Sequence, residues 1–208
     1  MQWEPWFTWK KLISWKTIGI FLIVLMGFGL GYYGQNIFRD RRQNAQQGAI
    51  TSSGQPPSDQ NEDPYIIDFS HQGLNQFPDF LLPRAEITDL ILSDNDIPQI
   101  PDGISNMSKL RILDMRYNRL GGPVTASIAD LGLVDVNLAH NEVTALPGVL
   151  GQMSSLRYLD VSFNKLSDVP DSVVNITGLK WLNLEGNDIS QAAVDDLRQK
   201  MPSTIINF

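Results

Sequence analysis

The chain of 208 residues contains no cysteine and only two histidines. Without cysteine there is no disulfide framework, no thiolate zinc site, no cysteine nucleophile and no lipid-modified cysteine anchor. Basic residues are outnumbered, with 16 Lys and Arg against 23 Asp and Glu, which argues against nucleic acid as the main partner. The sequence also has no phosphate-binding loop with lysine, no G-x-S-x-G and no H-E-x-x-H. We therefore predict a protein that is not an enzyme and that uses no cofactor or metal.

The charges are divided unevenly along the chain. Residues 1–42 contain six Lys and Arg and two Asp and Glu, a net charge of +4. Residues 43–208 contain ten Lys and Arg and 21 Asp and Glu, a net charge of −11. A basic N-terminal part next to an acidic remainder predicts two environments, with anionic lipid as the partner of the basic part.

Residues 17–38 carry no charge and are mostly apolar. As a helix these residues would extend about 33 Å, compared with about 30 Å for the hydrocarbon core of a bilayer. Trp15 stands at one end and Tyr32 and Tyr33 near the other, where amphipathic rings prefer the membrane interface. We predict a signal-anchor transmembrane helix at 17–38, preceded by a basic, Trp-rich tail at 1–16. A cleaved signal peptide is the alternative, but its apolar region is shorter and ends at small residues.

The orientation of this anchor is not decided by charge, because three Lys and Arg flank each side. An N-terminal anchor with a short cytosolic tail favours an extracytoplasmic location for the rest of the chain. Gly27 and Gly31 spell G-x-x-x-G, which allows a homodimer of membrane helices, although glycine is common in such helices. Residues 39–63 are rich in Gln, Ser, Pro and charge and are predicted to form a disordered linker.

Residues 64–208 contain an internal repeat with a period of 23 residues. In all six units, apolar residues stand five and three positions before a polar register residue, and two positions after it. This agreement at 18 sites has a chance of about 10⁻⁷ at the overall apolar frequency. The register residues are Gln72, Asn95, Asn118, Asn141, Asn164 and Asn187.

This pattern predicts one short strand per unit. Apolar residues two apart indicate a strand with one buried face, and the asparagine amide can bond backbone groups where the chain turns. Proline six positions after four of the register residues excludes a regular helix in the return segment. Because one unit cannot bury its own apolar face, the units must stack into a solenoid with a curved parallel sheet.

The segment 156–170 reads LRYLDVSFNKLSDVP, and this spelling resembles the leucine-rich repeat family. The resemblance implies an α/β solenoid, a horseshoe of six repeats whose concave sheet binds a ligand that the motif does not specify. It also implies a structural asparagine ladder along one edge. Since related extracellular domains of animals and plants carry disulfide-bonded caps, the absence of cysteine favours a bacterial source. The ladder residues are Asn95, Asn118, Asn141, Asn164 and Asn187.

Three units depart from the repeat. The first, with Gln72 and Arg84 at unusual sites, is predicted to be an N-terminal cap. The third shifts its apolar residues over 120–131, which predicts a bulge on the outer side. The last has the pattern of a capped helix at about 190–201, followed by a final strand at 205–208 that closes the solenoid.

One column of the repeat places aromatic rings on adjacent units. Tyr117, His140 and Phe163 each directly precede a register asparagine, so we expect them about 5 Å apart in a ridge on the concave face. Rigid aromatics beside charges are typical of protein-binding hot spots, although the same residue types also occur as ordinary repeat consensus. The predicted protein-binding residues are Tyr117, His140, Phe163, Tyr158, Trp181, Asp114, Arg116 and Asp160.

The sequence therefore predicts a membrane-tethered leucine-rich repeat scaffold that binds a protein partner of unknown identity. One alternative is a structural or adhesive cell-surface protein that acts by self-association. A second is an adaptor on the cytosolic face of the membrane.

Overall fold

A computed structural model of the chain describes residues 65–208. The tail, the transmembrane helix and the linker predicted for residues 1–63 lie outside the described residues, and so do Gly27 and Gly31. Among residues 65–208, no helix is long and apolar enough to cross a membrane.

Seven short strands form one parallel sheet, with strand order β1-β2-β3-β5-β7-β8-β9. Adjacent strands from β1 to β8 pair in a register of 23 residues, as in the pairing of Ile67 with Leu90 and of Leu90 with Leu113. The predicted parallel sheet of a repeat solenoid is thereby confirmed. The strands are β1 (Ile66–Asp68), β2 (Asp89–Ile91), β3 (Ile112–Asp114), β5 (Asp135–Asn137), β7 (Tyr158–Asp160), β8 (Trp181–Asn183) and β9 (Ile205–Asn207).

The return segments contain short 3-10 helices instead of α-helices. Proline directly precedes three of them, because its fixed φ and missing N–H are tolerated only where a helix begins. These helices turn one buried apolar residue each towards the sheet, such as Ile104 and Val173. The 3-10 helices are Asp79–Leu81, Asp102–Asn106, Ala126–Asp130, Leu150–Gln152 and Asp171–Asn175.

One continuous apolar core runs through the repeats from Phe77 to Ile206. Its centre is the row of middle strand residues, which is buried throughout β2 to β8. These residues pack against each other and against the return segments. Every unit therefore depends on its neighbours to exclude water.

Asparagine side chains connect successive repeats along one edge of the sheet. The Asn141 Oδ1 accepts the Leu120 N–H at 2.9 Å, and its Nδ2 donates to the carbonyls of Met115, Leu138 and Ala139 at 2.9, 3.0 and 3.2 Å. Four further asparagines bond in an equivalent way to backbone groups of the preceding repeat and of their own turn: Asn95, Asn118, Asn164 and Asn187.

The third and fourth repeats carry a second, smaller sheet on the return side. Its strands β4 (Gly121–Pro123) and β6 (Glu142–Ala145) pair in parallel, with a register shift between Gly122 and Pro123. Gly122 has φ +73°, a conformation that favours glycine. The sequence shift over 120–131 predicted an irregularity here, but it did not predict a second sheet.

The last repeat ends in the helix α1 (Gln191–Lys200), followed by β9. The Ser190 side chain caps this helix by accepting the Ala193 N–H at 3.2 Å. Arg198 of α1 donates from Nη2 to the Ile206 carbonyl at 3.3 Å. In β9, the backbone of the residues on either side of Ile206 bonds to the β8 segment, so the Ile206 carbonyl lies on the outer edge of the sheet. Arg198 therefore covers the end of the sheet.

Candidate functional site

The residue before each register position takes a left-handed backbone conformation. The strands end three residues earlier, so this column lies in the turn that follows each strand. The prediction that these residues belong to the strands is therefore wrong, because they follow the strands in the turn. The chain must turn sharply to bury the asparagine amide, and a left-handed residue supplies this turn. The φ angles are 57° at His71, 62° at Asp94, 55° at Tyr117, 54° at His140, 52° at Phe163 and 68° at Gly186.

Tyr117, His140 and Phe163 form a continuous stack of rings, which we call the aromatic ladder. The ring centroids of Tyr117 and His140 are 4.3 Å apart with an interplanar angle of 10°. Those of His140 and Phe163 are 4.4 Å apart with an angle of 8°. Tyr117 and Phe163 remain 49% and 43% exposed, so the ladder is open to solvent.

The left-handed turns make this arrangement costly for folding. A side chain in this conformation costs about 1–2 kcal/mol per residue, whereas glycine adopts it freely. Gly186 occupies the equivalent turn of the next repeat, so the fold accepts glycine at this position. Each stacked pair offsets part of this cost with about 0.5–1.5 kcal/mol, in addition to the apolar area that the rings bury against each other.

The two ends of the ladder are bounded by different residues. A Cβ atom at Gly186 would come within 2.5 Å of the Phe163 ring, which shows that this ring lies directly over the glycine. In the column beyond Tyr117, Asp94 pairs with His71 at 3.0 Å between Oδ2 and Nδ1. The ladder is thus limited to three repeats, with a glycine at one end and a carboxylate at the other.

The pKa of His140 lies below its ordinary value. Burial between its neighbours lowers its pKa, and the negative charges of Asp160 and Glu185 oppose this effect only in part. Asp160 also accepts hydrogen bonds from the Ser162 N–H and hydroxyl, at 3.0 and 2.6 Å. Glu185 is exposed and has no ion pair with any residue in 65–208.

Three of the other predicted site residues, Tyr158, Trp181 and Asp114, are not part of the ladder. Tyr158 and Trp181 are half-buried register partners at the start of β7 and β8, and within the described part of the chain neither ring contacts the ladder. Asp114 is only 1% exposed and pairs with Arg116 at 3.3 Å, so the prediction that Asp114 is a surface charge is wrong.

Other surfaces of the described domain offer less chemistry. No group of three His, Asp or Glu side chains within 65–208 is placed to hold a metal ion. A groove of about 490 Å³ lies beside β4, lined by backbone and small side chains such as Gly121, Gly122 and Pro123. Its carboxylate, Asp102, already accepts a hydrogen bond from the Thr125 hydroxyl.

The fold defines the class of protein to which this domain belongs. One short strand per 23-residue unit, a 3-10 return segment and an asparagine ladder are the parts of a leucine-rich repeat solenoid. Two family models described as leucine-rich repeats match the sequence, one at residues 109–131 and the other at 132–189. These matches and the structural neighbours support the leucine-rich repeat family.

Solved structures resemble the domain at modest sequence identity. A leucine-rich repeat protein of Leptospira interrogans is similar with a TM-score of 0.53 and 23% identity, covering 64% of this chain and 40% of that one. The repeat ectodomain of the plant membrane receptor kinase GASSHO1/SCHENGEN3 from Arabidopsis thaliana has a TM-score of 0.52 and 33% identity. That match covers 55% of this chain and 14% of the ectodomain, which was solved in complex with CASPARIAN STRIP INTEGRITY FACTOR 2.

A curated relative matches over a short stretch. An adenylate cyclase of Neurospora crassa is 38% identical over 58 residues, which is 28% of this chain and 2% of that protein. A match of this extent concerns the repeats and not the activity of the larger protein.

Proposed function

We propose that the chain is a membrane-tethered, non-enzymatic scaffold that binds a protein partner through the aromatic ladder. The repeat fold itself indicates protein–protein interaction. The observation that carries the finer proposal is the ladder, in which partly exposed rings on three adjacent repeats are stacked in left-handed turns. Rigid aromatic side chains lose little rotamer entropy on binding and are typical anchors of protein interfaces.

The plant receptor ectodomain is a precedent for the general mode of action. It is similar to this chain in fold and was solved in complex with a partner. A leucine-rich repeat surface that presents rigid side chains to a partner requires no catalytic group, which agrees with the absence of catalytic motifs in the sequence.

The ladder variant for testing this proposal is Phe163→Gly, because glycine fits the left-handed turn, as Gly186 does in the next repeat. Partners of the full-length chain would be captured by cross-linking in the native host and compared quantitatively. Phe80→Ala is the matched control, since Phe80 is an equally apolar ring, 66% exposed, outside the ladder. We expect at least a tenfold loss of capture with Phe163→Gly and none with Phe80→Ala. Equal capture by both variants would contradict the proposal.

The membrane tether rests on the sequence of residues 17–38. The full-length chain should stay with membranes during carbonate extraction, whereas a chain that starts at Gln43 should be released. A mature N-terminus near residues 45–50, found by mass spectrometry, would instead indicate a cleaved signal peptide. Protease accessibility in intact cells distinguishes the extracytoplasmic orientation, which we favour, from the cytosolic adaptor.

The self-association alternative is tested within the same segment. If membrane helices pair through Gly27 and Gly31, replacing both glycines with leucine should abolish the homodimer in detergent. A dimer that persists would place self-association outside this motif.

A further inference from the structure

The aromatic ladder offers the edges of its rings to a partner. Stacking at 4.3 and 4.4 Å occupies both faces of His140 and the inner faces of Tyr117 and Phe163. The outer face of Phe163 lies over Gly186. Sugars and isolated cations are bound by open ring faces, and this arrangement leaves one of the six, the outer face of Tyr117, for such a ligand.

Ring edges attract a different group. The edge of an aromatic ring is electropositive, and it packs well against the electron-rich face of another ring. The centroids of the outer rings of the ladder are at most 8.7 Å apart, the sum of the two centroid distances of 4.3 and 4.4 Å. This length accommodates one large planar side chain and its immediate neighbours, as in a short peptide segment.

The charges around the ladder favour particular residues next to that planar side chain in the partner. The described domain, residues 65–208, contains ten Lys and Arg and 18 Asp and Glu, a net charge of −8. Its basic residues close to the ladder in sequence are already paired: Arg116 with Asp114, Arg119 with Asp96 and Lys165 with Glu142.

Two carboxylates near the ladder have no basic partner among the described residues. These are Asp160 and Glu185, whose negative charges act on the ring of His140. A cation from the partner can pair with these carboxylates. Such a cation would also be drawn to the domain by its net negative charge.

We propose that the aromatic ladder binds a short segment of a partner protein in which an aromatic residue stands next to Lys or Arg. The aromatic side chain lies face-on across the ring edges, and the basic side chain contacts Asp160 and Glu185. This inference rests on the proposed function and adds the chemistry of the partner to it.

A displayed library of random 12-residue peptides tests this chemistry without knowledge of the partner. The full-length chain, kept in detergent, is the bait, with Phe163→Gly and Phe80→Ala as parallel baits. We expect peptides with adjacent aromatic and basic residues to be enriched on the wild type and on Phe80→Ala. They should bind Phe163→Gly at least tenfold more weakly.

The charge contribution is measured with one selected peptide. Glu185→Gln should slow its association by about threefold or more at low ionic strength, and added salt should remove the difference. Asp130→Asn is the control, because Asp130 is an exposed carboxylate on the return side of the third repeat. Equal association rates for both variants would overturn the role of Glu185.

The outcomes separate this inference from the proposed function. Ladder-dependent peptides without the aromatic and basic pair would overturn the inference and leave the ladder as a binding site. Peptides that bind Phe163→Gly as well as the wild type, or a failure to enrich any ladder-dependent peptide, would contradict both.

Discussion

Replacing Asn141 with alanine gives a direct measure of the asparagine ladder. The variant removes the acceptor of the Leu120 N–H, which has no other partner within the described domain. The carbonyls of Met115, Leu138 and Ala139 each keep a second donor, from Asn118, Asn164 and the Tyr117 N–H respectively. The loss is therefore dominated by one orphaned buried N–H, about 1–3 kcal/mol of unfolding free energy.

Urea titration of the full-length chain, followed by far-UV circular dichroism, measures this loss. Asn106→Ala is the matched control, because it makes the same substitution at an exposed site and should change stability by less than about 0.5 kcal/mol. Asn141→Asp should be worse than alanine at pH 7, since it places a carboxylate opposite the three carbonyls that Nδ2 now serves. Equal losses for Asn106→Ala and Asn141→Ala would refute the reasoning.

Two further predictions follow from single contacts. Burial lowers the pKa of His140 in the folded chain, so the unfolded chain binds a proton more readily and stability falls as pH decreases through about 6.5. His140→Phe should remove this part of the pH dependence in urea titrations at pH 7.5 and 5; an unchanged slope would argue against it. Arg198→Ala should expose the carbonyl of Ile206 and promote concentration-dependent association in analytical ultracentrifugation, whereas Lys200→Ala on the same helix should not.

The fold of the domain was predictable because its signal repeats. A single Leu-x-Leu pair indicates little, but six of them in phase with asparagine leave one way to bury the apolar rows. The final helix was also readable from local chemistry, since Ser190 precedes it and Pro202 follows it. Prolines such as Pro101 excluded an α-helical return segment, and the structure has 3-10 helices there.

The candidate site was less predictable, because periodicity fixes which residues share a column but not the backbone conformation of that column. Alternation extended from the strand placed Tyr117 on the concave face, whereas the turn begins at this residue. A signal was present in the same column: Gly186, Asp94 and His71 are residue types that tolerate the left-handed region. The second sheet at β4 and β6 had no comparable signal, because it depends on the register of two irregular return segments.

The adjacent residues Phe163 and Asn164 show how neighbouring positions of the repeat differ in burial. Asn164 is buried, and both its amide and its carbonyl oxygen are satisfied by backbone groups, so the fold itself accounts for this residue. Phe163 is 43% exposed in a left-handed turn and stacks on His140, so its ring is held at the surface of the domain. A ring held in this way is available to the partner that we propose. Under the proposed function, the position before each asparagine is where such a solenoid can change its specificity without changing its core.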